Sequence, residues 1–289
     1  MAADGDSRVR HPSRLDRRLR QRLRALPIAV PRPATVAAVL VVLVGWQLLS
    51  LRFPDYRFPG LATLAGNVVV VISGETPFEP LVQYGATIAR VSIGFAVSMV
   101  LATLWGVAMG SRDALRGYLS GPLFVLLTVP SVVWAFVGVI WFGLTEFLVP
   151  VFVVVLVVFP YLTVTVWEGM GDVDESLLEM AAAFGASRRA IWRDVYLPQL
   201  RPYLFGIARV GLAVSWKLCL VAEVFGSATG VGVAVKYHFE SFENGMVIAW
   251  ALPMMAVIYG ADRLLRRLER RATRWQPDSE ATDVRGMIE

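Results

Sequence analysis

The chain has 289 residues, 56% of them hydrophobic and 18% charged, which is more apolar surface than one soluble core of this length can hide. A soluble enzyme or nucleic-acid-binding domain is excluded on that ground, and the net charge of +5 reads instead as the cation excess that marks the cytoplasmic side of a membrane protein. The single cysteine, Cys219, lies in an apolar run and excludes a disulfide framework or a Cys-x-x-Cys metal cluster.

Residues 1–33 carry eight arginines between Arg8 and Arg24 and no small-residue cleavage site, so they read as a retained basic tail. Such a tail either touches anionic headgroups or a cytoplasmic partner subunit, or serves as a solvated arm that reinforces orientation. Runs near 20 apolar residues, the length that crosses about 30 Å of hydrocarbon, predict six spans at 34–51, 87–110, 118–142, 147–168, 203–223 and 246–262. The stretch 61–72 is too short to cross. Pro59 and Gly60 before it, and Gly74 and Pro77 after it, mark it as an interfacial helix on the outer surface.

With the N-terminus inside, 22 of the 28 basic residues fall on the cytoplasmic side and three outside (Arg52, Arg57, Lys236). That asymmetry fixes a multi-pass protein of the cell membrane with both termini cytoplasmic. Residues 34–272 form the membrane domain, and 273–289 are a polar cytoplasmic tail. In the second span, Gly106-x-x-x-Gly110 permits close helix approach. Pro122 and Pro130 in the third span, and Pro150 and Pro160 in the fourth, break hydrogen bonds that neighbours must supply, which suits a pathway that reshapes.

Three cations fall within spans, where charge is costly. Arg90 is a turn inside the outer end of its span and is expected to snorkel outward. Arg209 lies about 9 Å from the inner end of the fifth span, and Lys217 roughly 21 Å from it. Lys217 either faces a central cavity, where it would attract a small anion, or snorkels outward. Glu223 is some 240° around the helix from Lys217, so the two do not pair within the helix; it is placed at an outer gate with Gly226, Gly230 and Gly232. Pro130, Arg209, Lys217 and Glu223 are the candidate lining of a path.

Between the fourth and fifth spans stands a polar island. Asp174, Glu175 and Glu179 lie early in a helical stretch from Val173 to Ala183, Gly185 permits a left-handed turn, and Ser187 can cap a second helix from Arg188. That helix is expected to end at Leu197-Pro198. The spacing Glu179-x-Ala181-x3-Gly185-x9-Val195-x-Leu197-Pro198 resembles the cytoplasmic coupling loop of ABC importer permeases. The resemblance implies an all-α membrane fold of six spans with a cytoplasmic coupling helix-turn-helix at 173–200, the type I importer arrangement. It carries Glu179, Ala181, Ala182, Gly185, Ala186, Leu197 and Pro198 over as the ATPase-coupling set. Met180 departs from the alanine usual there and is expected to pack against the rest of the subunit.

Weaker motifs resemble the nitrate/sulfonate/taurine branch: Thr87-Ile-Ala-Arg90-Val-Ser-Ile-Gly94, Val129-Pro130, Ile140-Trp-Phe-Gly143 and Val221-Ala-Glu223 with Gly230-Val-Gly232. The implied function is the permease subunit of an importer of a small sulfonate, taurine or nitrate-like anion. A heterocyclic vitamin precursor is the alternative cargo, and an ATP-independent channel or secondary transporter the alternative class. The implied partners are ABC ATPase subunits, an extracytoplasmic solute-binding protein, a second copy of the chain and the lipid bilayer, with no nucleic acid. No Gly-x4-Gly-Lys-Ser/Thr loop is present, so the chain itself carries no cofactor, and ATP and Mg belong to the partner ATPase. His11 and His238 stand apart, which leaves no catalytic or metal-binding set.

Overall fold

The computed structural model describes residues 33–272; the two tails expected from the sequence lie outside them. Among the described residues every regular element is helical. Pro33–Ser50 (α1) belongs to a separate compact unit ending at Arg52. It is apolar all round from Ala34 and short for a crossing.

The second unit is built on Pro80–Ser111 (α3) and Leu148–Gly171 (α6). Their axes approach closely because α3 offers glycines where a Cβ would collide. At Gly94 it would lie 2.8 Å from Val154, at Gly106 2.6 Å from Val166, and at Gly110 it would overlap Met170. The Gly106–Gly110 pair therefore serves packing inside the subunit. Leu197–Gly226 (α9) closes the core from the other side, with Gly211 against Leu162. Val91, Ala102, Val158, Val166, Trp216 and Cys219 fill the space between.

The third span departs from expectation. Asp113–Thr128 (α4) and Ser131–Phe142 (α5) meet at 96° rather than forming one straight crossing over 118–142. Pro130 cannot donate to the preceding turn and drives Val129 out of helical geometry, to φ −71° and ψ 125°. Among the described residues, four helices are long and apolar enough to cross a membrane, five if this bent pair is one crossing.

Leu61–Ser73 (α2) is a helix as expected, but it does not simply lie on a surface. Leu64 and Val71 are buried, and Val71 packs with Ala249 and Trp250 of Asn244–Ala272 (α11). The same cluster takes Val231 and Ala234 of Val231–Glu240 (α10), a helix not anticipated from the sequence. Tyr84 of α3 donates to the Trp250 carbonyl at 2.8 Å and stacks on its ring.

After α6 come Glu175–Ala183 (α7) and Arg188–Ile191 (α8). The second helix of the loop does not stop at Leu197-Pro198. It passes through a π-helical turn, Trp192–Tyr196, directly into α9, giving one helix from Arg188 to Gly226. The Leu197 N–H bonds the Trp192 carbonyl, five residues back, and this wider turn accommodates the ring of Pro198 where a regular α-turn would clash.

Candidate functional site

The first site is the loop around Gly185. Asp174 caps α7, accepting from the Ser176 N–H at 2.9 Å and the Ser176 hydroxyl at 2.7 Å, and these bonds hold its carboxyl below the usual carboxylate range. Gly185 ends α7 at φ +67°, with Ala186 N–H bonded to the Ala181 carbonyl and Gly185 N–H to the Ala182 carbonyl. That pair of bonds is the Schellman ending, which requires a left-handed residue. Ser187 then accepts from the Ala190 N–H at 3.2 Å and starts α8.

The base of the loop is tied to the membrane domain. Tyr203 donates to Asp172 at 2.7 Å, and the Asp174 N–H donates to Gln199 at 3.1 Å. Beyond these ties the loop stands free: no residue from Asp174 to Gln199 is buried. Glu179, Ala182, Gly185 and Leu197 are exposed, and Ala181, Ala186 and Pro198 half-buried. Met180 is 51% exposed, so it does not pack back onto the subunit as expected from its length. Phe184, at 85% exposure, stands at the tip, with Leu177 also exposed. Leu177, Met180 and Phe184 thus place large apolar side chains on a polar projection, turned away from the rest of the subunit.

The second site is a buried charged knot joining α3, α9 and α10. Arg90 is 1% exposed and does not snorkel. Its Nη1 lies 2.6 Å from Glu223 Oε1 and 2.6 Å from the Thr229 carbonyl, and Nη2 donates to the Thr229 hydroxyl. The two residues come from different helices, 133 positions apart, and a search for intrahelical partners alone misses them. An unpaired base and an unpaired acid near the same end of two spans were the available signal.

Glu223 also accepts from the Gly232 N–H at 2.9 Å, while the Thr87 hydroxyl lies 2.9 and 3.0 Å from its two oxygens. Thr87 accepts from the Val231 N–H at 3.0 Å, and Gln83 from the Gly230 N–H at 2.6 Å. Three successive N–H groups at the start of α10, which a helix cannot satisfy internally, are thus taken by side chains of α3 and α9. The carboxylate also meets the positive end of the α10 dipole. Glycine at 230 and 232 is a steric requirement. A Cβ at Gly230 would overlap the Glu223 carboxyl, one at Gly232 would lie 2.7 Å from Glu223 Cβ, and Gly230 sits at φ +116°. Glu223 therefore faces protein, and its carboxylate is occupied by α3 and α10 rather than lining an open path.

The remaining path candidates separate. Arg209 turns toward α11, 3.5 Å from Asp262 and 3.9 Å from Glu269. Lys217 is exposed and, among the described residues, forms no ion pair. By helical rotation it shares a face of α9 with Gly206 and Val210, and both line a 600 Å³ groove against Tyr161, Leu162 and Thr165 of α6. A smaller hollow of 320 Å³ continues from Tyr161 and Thr165 to Leu127 at the end of α4. Pro130 is exposed at the bend three residues further on. No group of three or more His, Cys, Asp or Glu among the described residues could hold a metal ion.

Residues 94–274 match the family model described as "Binding-protein-dependent transport system inner membrane component". The taurine transport system permease protein TauC of Escherichia coli is 25% identical over 83% of this chain and 88% of its own length. The putative aliphatic sulfonates permease SsuC of Bacillus subtilis is 26% identical over 86% of this chain and 87% of its own. The nitrate import permease NrtB of Synechocystis is 23% identical over 83% and 88%. A chain of the inward-facing MetNI methionine ABC transporter superposes with a TM-score of 0.60 at 16% identity, covering 68% of this chain and 99% of its own, and so shares the fold. With more than half its length matched by the family model, the chain belongs to the binding-protein-dependent transport system inner membrane components, the membrane permease subunits of ABC importers.

Proposed function

We propose that the chain forms, as a homodimer of six-span subunits, the path for a small anion of the sulfonate, taurine or nitrate kind. An extracytoplasmic binding protein delivers the anion, and two ATPase subunits drive transport from the cytoplasm. The observation that carries this reading is the Gly185 loop, a capped helix-turn-helix with nothing buried and Phe184 at its tip. Glu179, Ala181, Ala182, Gly185 and Ala186 make up the surface that the ATPase grips, and Leu197-Pro198 joins it to α9. Both termini are cytoplasmic in this reading, with α1 and the bent α4–α5 pair completing the crossings.

The cargo assignment rests on relatives whose names specify taurine, sulfonates and nitrate. Lys217, an exposed cation on the same α9 face as the groove residues Gly206 and Val210 and, among the described residues, without a counter-ion, fits an anion. The path is the α6–α9 face with Lys217 and the Pro130 bend; Arg209 and Glu223 serve structure beside it.

Co-purification with the cognate ATPase subunit tests the reading. Phe184→Asp should abolish association while the subunit stays folded in the membrane, and the mass of the intact assembly should correspond to two copies of this chain and two ATPases. Full association of the Phe184→Asp and Glu179→Ala variants would refute the coupling role, and a single copy beside a different permease would refute the homodimer.

A further inference from the structure

α10 is short, is held by no cap of its own, and receives its N-terminal hydrogen bonds from two other helices at once. Gln83 and Thr87 of α3 hold the N–H groups of Gly230 and Val231, and Glu223 of α9 holds that of Gly232. Arg90 of α3 locks Glu223 in place and binds Thr229 just before the helix. Of the two holders, α9 is the one that runs without a break back to the Gly185 turn. Movement of α9 past α3 cannot leave all of these bonds unchanged, because the N–H groups they share are adjacent in the chain. Resting on the permease reading above, we propose that α10 is a moving element of the transport cycle and that Glu223, with Thr87 and Gln83, is its positioning clamp. Displacement of α9 driven by the ATPase then reaches the extracytoplasmic face through the Glu223 carboxylate.

The exposed face of α10 offers a reporter. Lys236 is 46% exposed in its side chain and only loosely paired with Glu240 at 4.0 Å, while the native thiol Cys219 is buried. In the full transporter reconstituted with ATPase and binding protein, Lys236→Cys is labelled with a water-soluble maleimide in the nucleotide-free and ATP-trapped states. The labelling rate should differ between the states by about threefold or more, as a displaced two-state equilibrium gives. Thr87→Val and, separately, Glu223→Gln should bring that ratio to about one while the ATPase still co-purifies. A purely structural clamp would alter the labelling rate equally in both states. Two results overturn the inference: a ratio near one in the parent despite normal uptake, or an unchanged ratio in both variants. Absence of ATP-driven uptake in the parent would instead overturn the permease reading.

Discussion

Arg90→Met should destabilise the subunit far more than any exposed substitution, because it strands a carboxylate inside the protein. In the parent the Glu223 carboxylate has three neighbours that can donate: Arg90 at 2.6 Å, Thr87 at 2.9 Å and the Gly232 N–H at 2.9 Å. Breaking a buried pair by removing one partner typically costs about 3–5 kcal/mol. Two neutral donors remain here, which places the loss near the lower end, about 3 kcal/mol. At about 2–4 °C per kcal/mol for domains of comparable size, the melting temperature should fall by roughly 6–12 °C. The double variant Arg90→Met/Glu223→Gln removes both charges and should recover a large part of that loss. Differential scanning fluorimetry of the four detergent-purified proteins of this cycle isolates the coupling between the two side chains. A shift under about 2 °C for Arg90→Met would refute the claim that the pair is a sealed, interdependent knot.

In Gly185→Val the added Cβ meets no neighbouring atom within 4 Å, but the residue must adopt φ +67°, a strain of about 1–3 kcal/mol confined to an exposed loop; uptake should collapse while the protein remains in the membrane, as uptake assays and membrane blots will report. Lys217→Met removes no ion pair, so the melting temperature should be unchanged while uptake of the anion slows; equal uptake would remove Lys217 from the path. The depressed carboxyl of Asp174 stabilises α7 in its ionised form, so its contribution is complete above the unfolded value near 3.9 and is lost as pH falls through the lower folded value. Hydrogen-exchange protection factors of residues 175–183, corrected for the intrinsic pH dependence of exchange, should therefore be constant from neutral pH down to about pH 5 and fall only below the usual carboxylate range, and Asp174→Asn, which still caps, should remove that acid dependence.

The long helices were legible because a span imposes a continuous apolar run, and α3, α6, α9 and α11 contain the runs expected of them. The Gly185 turn was legible for a local reason: a glycine followed two residues later by a capping serine specifies a helix end and a helix start without help from the rest of the fold. What was not legible depends on partners far away in the chain. α10 is not anticipated because its capping groups are Gln83, Thr87 and Glu223, none of them adjacent to it in sequence. Arg90 reads as a snorkelling cation for the same reason. The stretch 118–142 reads as one run because hydrophobicity is blind to direction, whereas Pro130 turns the chain by 96° without changing its polarity.

Pro198 shows how a local rule can be satisfied and still give the wrong element. A proline four residues beyond Asp194 leaves the Asp194 carbonyl without its usual donor and brings the ring against it, so a break was the simplest expectation. The chain instead widens one turn. Leu197 bonds back to Trp192, and the Trp192 and Tyr196 rings stack at 4.6 Å on the outside of the turn. The cost of a poorer hydrogen-bond register is local, while the gain is continuity from Arg188 to Gly226, about 58 Å of helix at 1.5 Å per residue. A break at Pro198 would let the Gly185 turn swivel without moving α9. The π-turn keeps the two in line, so the sharp bend at Gly185 lies at one end of a single rod whose far end carries Glu223.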